Sequence, residues 1–225
     1  MAEGATAEYR SLTEGVGFSW RLVWKQPICI LVFFVASLCG QVLTFPGTIA
    51  AVLLEASGGR DAENAALALR IVSALVNFPV SVFFAMGALR YSLRLARGEP
   101  AGFGDVFSWG PYFPYLGATL LVALWTMFGL LFCIVPGIFL ALCWMFTGLA
   151  VLDKGMGPVE AMSHSWNLTR GHRWELLLLL IILFGVNLLG LLACCVGIFV
   201  TSAMTYVACA WVYLRLSGQP TADVS

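Results

Sequence analysis

The sequence predicts an all-α fold, a single membrane domain over residues 1–225. It reads as a polytopic bundle of six transmembrane helices, arranged as three in–out–in hairpins with interfacial amphipathic helices. Three observations carry this. Sixty per cent of the residues are hydrophobic and 11% are charged, where a soluble domain carries about 25% charge because its surface meets water. Four tracts, 26–54, 71–89, 106–152 and 176–214, contain no Asp, Glu, Lys or Arg. The basic residues that remain are sorted to alternate ends of those tracts.

Crossing about 30 Å of hydrocarbon takes roughly 20 apolar residues, with about 17 as the lower limit. A cytoplasmic or interfacial segment, 1–26, comes first. It contains Glu3, Glu8 and Glu14, so the apolar run after it reads as a retained anchor rather than a cleaved leader. Leu38 is too large to precede a lipid-modified Cys39. Within 10–25, Leu12, Val16, Trp20 and Val23 approximate one apolar face. The first two tracts each hold one span, near 27–45 and 71–93. The longest outer loop, 48–70, lies between them and is expected to carry a short surface helix.

The third tract has 47 residues. As one helix it would be about 70 Å long, so it is read as spans at 112–135 and 136–152 turning at Pro136-Gly137. Proline suits the first turn of a helix. The fourth tract splits near Cys194–Gly197 into spans at 175–193 and 197–215, leaving a cytoplasmic tail, 216–225.

Orientation follows from the cations. With the N-terminus inside, Arg10, Arg21, Lys25, Arg90, Arg94, Arg97, Lys154, Arg170, Arg173 and Arg215 lie on the cytoplasmic side, against Arg60 and Arg70 outside. That is the positive-inside pattern. Six tryptophans (20, 24, 109, 166, 174 and 211) fall near the same interface, while Trp125 and Trp144 sit at similar depth on one hairpin, placed to pack together. A repeat underlies the map. Ser-Trp occurs at 19–20, 108–109 and 165–166, and 27 to 31 residues after each tryptophan comes a glycine. The surrounding runs TFPGTI, IVPGIF and CCVGIF mark Pro46, Gly47, Pro136, Gly137 and Gly197 as turn residues.

Polar side chains at the inner interface are the candidates for recognition. In 158–175, Glu160, His164, Arg170 and His172 share a water-facing side of an interfacial helix, and Arg170, His172 and Arg173 are placed to grip an anionic headgroup. They serve equally as ordinary anchors. Arg90, Arg94 and Arg97 follow the second span at helical spacing, and either snorkel to the interface or pair, Arg90 with Asp105 or Glu160. Span centres hold neutral Gln41, Asn77 and Asn187 but no charge, which argues against an ion-coupled pump. No catalytic, cofactor-binding or metal-ligating pattern is present, and the seven cysteines show no CxxC. Cys194-Cys195 is the one pair suited to redox chemistry. Net charge of zero gives no reason to expect nucleic acid.

The run LLFCIVPGIFLALCWMFTGLAVLDKGMGPVEAMSHSWNLTRGHRWELLLLL resembles bacterial membrane proteins that include the membrane domain of some glycerophosphoryl diester phosphodiesterases and the YciC-like proteins. The shared features are Pro136-Gly137, Glu160-Ala161, Ser165-Trp166 and Gly171, and TEGVGFSWRLVWKQP resembles the family's opening segment. The resemblance implies a bacterial inner-membrane module. It implies no phosphodiesterase activity, since that reaction belongs to a separate soluble barrel. The expected function is therefore a non-enzymatic module that associates with lipid, in particular anionic phospholipid, or with another membrane protein. The alternative is a transporter, channel or lipid-translocating protein using Asn77 and Asn187. A third reading is an enzyme built on Asp153, Glu160, His164 and His172.

Overall fold

A computed structural model describes residues 15–26, 28–42, 44–192 and 195–222. All regular structure among them is helical. Residues 1–14 of the segment expected at 1–26, together with Cys194, lie outside the described residues. Helix α1, Gly15–Lys25, meets α2, Ile28–Val42, at 93°, so it does not prolong the first span. It buries Phe18, Ser19, Leu22 and Val23 and leaves Trp20 and Trp24 exposed.

Here the structure departs from the expected first span, 27–45. Helix α3, Thr44–Ala56, follows α2 and packs along α4, Arg60–Arg97, joined to it by an ion pair from Arg70 to Glu55 at 2.9 Å. The expected outer loop is thus helix on both sides of a tight turn. Gly58 and Gly59, at positive φ of 72° and 109°, make that turn. Helix α4 has 38 residues, about 57 Å at the helical rise, well beyond the expected 71–93. Its charges suit its length: Asp61 and Glu63 lie in the first turn, Arg94 and Arg97 in the last, each opposite to the local end of the helix dipole.

After a short 3-10 turn, Phe103–Asp105, comes α5, Tyr112–Phe132, then α6, Ile134–Cys143, and α7, Thr147–Lys154. The hairpin expected at Pro136-Gly137 is present, but its pivot is Cys133, the single extended residue (φ −167°, ψ 153°) between the two helices. Pro136 and Gly137 fall inside the first turn of α6, where proline costs nothing because the N–H it lacks has no helical partner there. The same shift recurs. Pro46 and Gly47 lie in the first turn of α3, and Gly197 lies near the start of α10. These residues serve helix contact. Gly137 abuts Leu130 and Gly129 of α5, Gly47 abuts Ser73 of α4, and the Gly197 carbonyl abuts Gly190 of α9. In each case a side chain would force the pair apart.

The span expected at 136–152 is broken at Trp144–Phe146, between α6 and α7. Backbone groups freed at a break in hydrocarbon need new partners, and helix α8, Pro158–Thr169, provides them. Ser165 Oγ donates to the Cys143 carbonyl at 2.8 Å and accepts from the Phe146 N–H at 3.3 Å. The three Ser-Trp pairs therefore differ in setting. Ser19 bonds within its own helix, to the Val16 carbonyl; Ser108 lies in non-helical chain; Ser165 repairs a helix break.

Helices α9, Arg173–Leu192, and α10, Cys195–Leu216, complete the chain, linked by Asn187 Nδ2 donating to Thr205 Oγ1 at 2.8 Å. Among the described residues, five elements are long and apolar enough to cross a membrane: α4, α5, α6 with α7, α9 and α10. Helix α2, with 15 residues, falls short alone. Helices α4 and α10 form the centre. Their buried residues cluster toward their C-terminal ends, Val82 to Ala96 and Ala203 to Leu214, with Leu149 to Val151 of α7. Toward the other end the α5–α6 tip and the C-terminal half of α9 are largely exposed. Burial is concentrated at the arginine-bearing end of the bundle.

Candidate functional site

The arginines that follow the second span at helical spacing are all engaged within the chain. Arg90 Nη1 donates to Ser108 Oγ at 2.8 Å, its guanidinium lying against Gly110, where a Cβ would block it. Asp105, one expected partner of Arg90, is instead taken by Arg94, which also reaches Glu99 at 3.3 Å. Asp105 in turn accepts from the Gly102 N–H at 2.9 Å, so the α4–α5 loop is held from both sides.

Arg97 forms the most elaborate junction. It pairs with Asp153 of α7, whose side chain is 5% exposed. The second Asp153 oxygen accepts from Tyr213 at 2.9 Å and from Gln219 at 2.7 Å, and Arg97 also donates to Gln219 Oε1 at 2.7 Å. The Ala222 N–H adds a bond to the Ala96 carbonyl at 2.9 Å. A buried charge pair stabilises only when its remaining hydrogen-bonding capacity is met. Here Tyr213 and Gln219 meet it, and the pair becomes a clamp joining α4, α7, α10 and the tail.

The segment around α8 divides in two. Glu160 and Arg170 are exposed, and Trp174 beside them is 83% exposed. His164 Nε2 lies 3.2 Å from Lys154 Nζ, and burial together with that ammonium holds its imidazole below the ordinary value. His172 lies 3.3 Å from Glu175. Arg173 is sandwiched, its guanidinium carbon 4.7 Å from the ring centres of both Phe139 and Trp166, a cation–π arrangement that packs rather than reaches outward. Trp144 completes this cluster against Trp166 at 6.3 Å; the expected partner, Trp125, is exposed. Asp153 and Glu160 act electrostatically on His164, whereas His172 lies beside Glu175.

Two open clefts lie between helices of the bundle, and sequence reasoning reached only part of them. One, of about 380 Å³, is walled by Ser37, Gln41, Asn77, Ser81, Ser202 and Tyr206 among others. The second, of about 490 Å³, is walled by Tyr115, Thr119, Thr126, Trp144, Thr147 and, again, Tyr206. Among the described residues, neither wall contains a charged residue. Tyr206 is nine residues from either end of the span expected at 197–215, about 14 Å deep at the helical rise. Most polar groups here are satisfied locally: Ser81, Ser202 and Thr119 bond to carbonyls of their own helices. Asn77 Oδ1, Thr126 Oγ1 and Thr147 Oγ1 are buried with no hydrogen-bond partner among the described residues. All three belong to cavity walls. Asn77 and Gln41 were legible as mid-span polar residues, whereas hydroxyls in an apolar run ordinarily bond their own helix and give no signal. Asn187, the other expected pathway residue, is engaged by Thr205 and the Leu183 carbonyl.

A family model described as Domain of unknown function (DUF7847) matches residues 102–223, more than half of the chain, from the α4–α5 loop through the tail. No curated protein and no solved structure matches.

Proposed function

The chain belongs to this DUF7847 family of unknown function, and we propose that it is a non-enzymatic integral membrane module that holds lipid inside its own bundle. The observation that supports this is the pair of clefts sharing Tyr206, whose walls combine apolar side chains with hydroxyl and amide groups and carry no charge among the described residues. Sites for small amphiphiles have that character: mostly apolar, with a few fixed polar groups. Exposed Ser37 and Gln41 on the first wall offer an approach from the bilayer side.

The module has six spans, α2 providing the sixth with local thinning of the bilayer around it. Both termini are cytoplasmic, the arginine-bearing end facing inward. Its resemblance to bacterial phosphodiesterase membrane domains and YciC-like proteins supports a bacterial inner-membrane location. Arg170, exposed beside Trp174 at the interface, adds anionic headgroup attraction. Detergent-free extraction in native nanodiscs followed by native mass spectrometry tests the central point. Lipid that stays bound through removal of the surrounding bilayer is the expected result, and a bare protein would defeat it. Reporter fusions test the topology: cytoplasmic signals after Gly98, Gly155 and Gly218, external ones at Gly58 and Gly197, with a cytoplasmic signal at Gly58 ruling out six spans. A second reading, lipid translocation, draws on Tyr206 being common to both cavities, which puts polar groups on two sides of one side chain.

A further inference from the structure

Among the described residues four arginines are half-buried: Arg90, Arg94, Arg97 and Arg173. The first three meet oxygen within the chain, at Ser108, at Glu99 and Asp105, and at Asp153 and Gln219. Arg173 meets none; its contacts are the rings of Phe139 and Trp166. We infer that Arg173 is the core of a phosphate site on the cytoplasmic rim, occupied by the phosphate of an anionic phospholipid. This rests on the membrane-module reading and inward orientation proposed above, and the site lies apart from the two clefts.

The rings fix how the guanidinium presents itself. Phe139 of α6 and Trp166 of α8 stand at 83° to each other with centres 6.1 Å apart, and the guanidinium carbon sits in that corner, 4.7 Å from each centre. Nε, next to the stem, is buried, whereas the two terminal nitrogens remain open to the surface. Their parallel N–H groups form the fork that pairs with a phosphate or carboxylate through two bonds at once. The ring contacts hold this fork in place before a ligand arrives, which lowers the entropy lost on binding.

The chain supplies no carboxylate to the fork. Glu175, two residues on, lies against His172 at 3.3 Å, and Asp153 is held in the Arg97 clamp. Ring faces attract the cation but leave its N–H donors without an oxygen. Depth selects the source of the anion. Arg173 opens α9, its apolar run follows directly, and Trp174 beside it is exposed. With the arginine-bearing end inward this is the headgroup level of the cytoplasmic leaflet, where lipid phosphates are concentrated. Arg170, three residues earlier and exposed, favours a lipid of net negative charge over a zwitterionic one. A soluble phosphate lacks the acyl chains that would keep it at this level. Because Arg173 of α9 touches α6 and α8, an occupant also tightens the junction of three helices, and binding should raise Tm.

The test places the full chain in nanodiscs of dioleoylphosphatidylcholine, with or without dioleoylphosphatidylglycerol. It follows Tm, and retained phosphatidylglycerol by native mass spectrometry. Phosphatidylglycerol should raise Tm by several degrees and be retained preferentially. Arg173→Lys keeps the charge beside the rings but loses the fork. It should melt like the native chain in phosphatidylcholine alone, lose the rise, and retain several-fold less phosphatidylglycerol. Salt separates the fork from general attraction. Retention lost in Arg170→Ala is the part that high salt screens, whereas retention lost in Arg173→Lys is the part that survives it, since partly buried pairs are screened less. Loss of all retention at high salt would mean a diffuse field and overturn the site, as would lysine performing as well as arginine. An equal rise in Tm from inorganic phosphate in phosphatidylcholine nanodiscs overturns the lipid source. One Tm for the native chain in both compositions overturns the inference with no variant needed. That result leaves the cleft reading standing, because lipid carried in the clefts is read separately, by retention in native nanodiscs.

Discussion

Ser165→Ala isolates the contact that lets a membrane helix break between α6 and α7. Ser165 is fully buried, and alanine differs from it by one oxygen, so the packing loss is small beside the polar loss. Two backbone groups lose their partner. The Phe146 N–H loses its 3.3 Å bond, and the Cys143 carbonyl keeps only Thr169 Oγ1 at 3.5 Å. An unsatisfied buried polar group costs about 1–3 kcal/mol. Side-chain bonds between membrane helices average about 0.6 kcal/mol because their partners find substitutes, but a backbone N–H at a helix break has few. About 2 kcal/mol is the expected loss, which for a chain of this size lowers Tm by about 4–8 °C. The assay is thermal unfolding in one detergent or bicelle, with Ser163→Ala as the control. Ser163 lies on the same helix but is exposed, and its loss should stay within about 0.5 kcal/mol. If both variants melt at the same temperature, the break is stabilised by something other than Ser165 and the reasoning fails.

Three further outcomes follow from the arginine-bearing end. Arg97→Ala strands Asp153 and should cost about 3 kcal/mol, whereas pairing it with Asp153→Ala should recover part of that loss; a double-mutant unfolding cycle showing simple additivity would contradict the clamp. Arg173→Ala should lower Tm by removing a stacked cation, while Arg170→Ala should leave Tm alone and weaken retention of anionic lipid in a salt-sensitive way, and co-purified lipid with melting curves separates the two. His164 resists protonation when folded, since burial and Lys154 lower its pKa, whereas the unfolded chain takes the proton near about pH 6.5. The stability it contributes is therefore complete above that pH and is lost as pH falls through the lower folded value. Melting series between about pH 5 and 8 should be steeper for the native chain than for His164→Gln.

How much of this was readable beforehand depends on range. Charge-free length is local, and it correctly marked the apolar helices α4, α5, α9 and α10. Pro136-Gly137 marked a hairpin but not its pivot, because proline and glycine are as acceptable inside a first helical turn as before it. The actual break at Cys133 needs only one residue to go extended, which any residue can do. A short helix was expected within 48–70, but the start of α3 at Thr44 was hidden because residues 44–47 looked like the end of a span. The clamp was out of reach altogether. Arg97 finds Gln219 across a separation of 122 residues, and nothing local distinguishes a clamped arginine from a snorkelling one. The cavities were half visible, as Asn77 is conspicuous in an apolar run and Thr147 is not.

That separation also sets an order in time. At roughly 5–20 residues per second of synthesis, about 6–24 s elapse between the making of Arg97 and of Gln219. Within that interval α5, α7 and α9 are made and join α4, while Asp153 lacks the Gln219 bond until the tail is made. The early helices therefore remain free to slide and tilt against one another while the later ones enter. Their relative positions lock only when the tail folds back over α4 and its bond to Ala96 forms. The last described segment of the chain acts as the closing step of assembly, and a ribosome paused before residue 219 would hold an inserted but unlatched bundle.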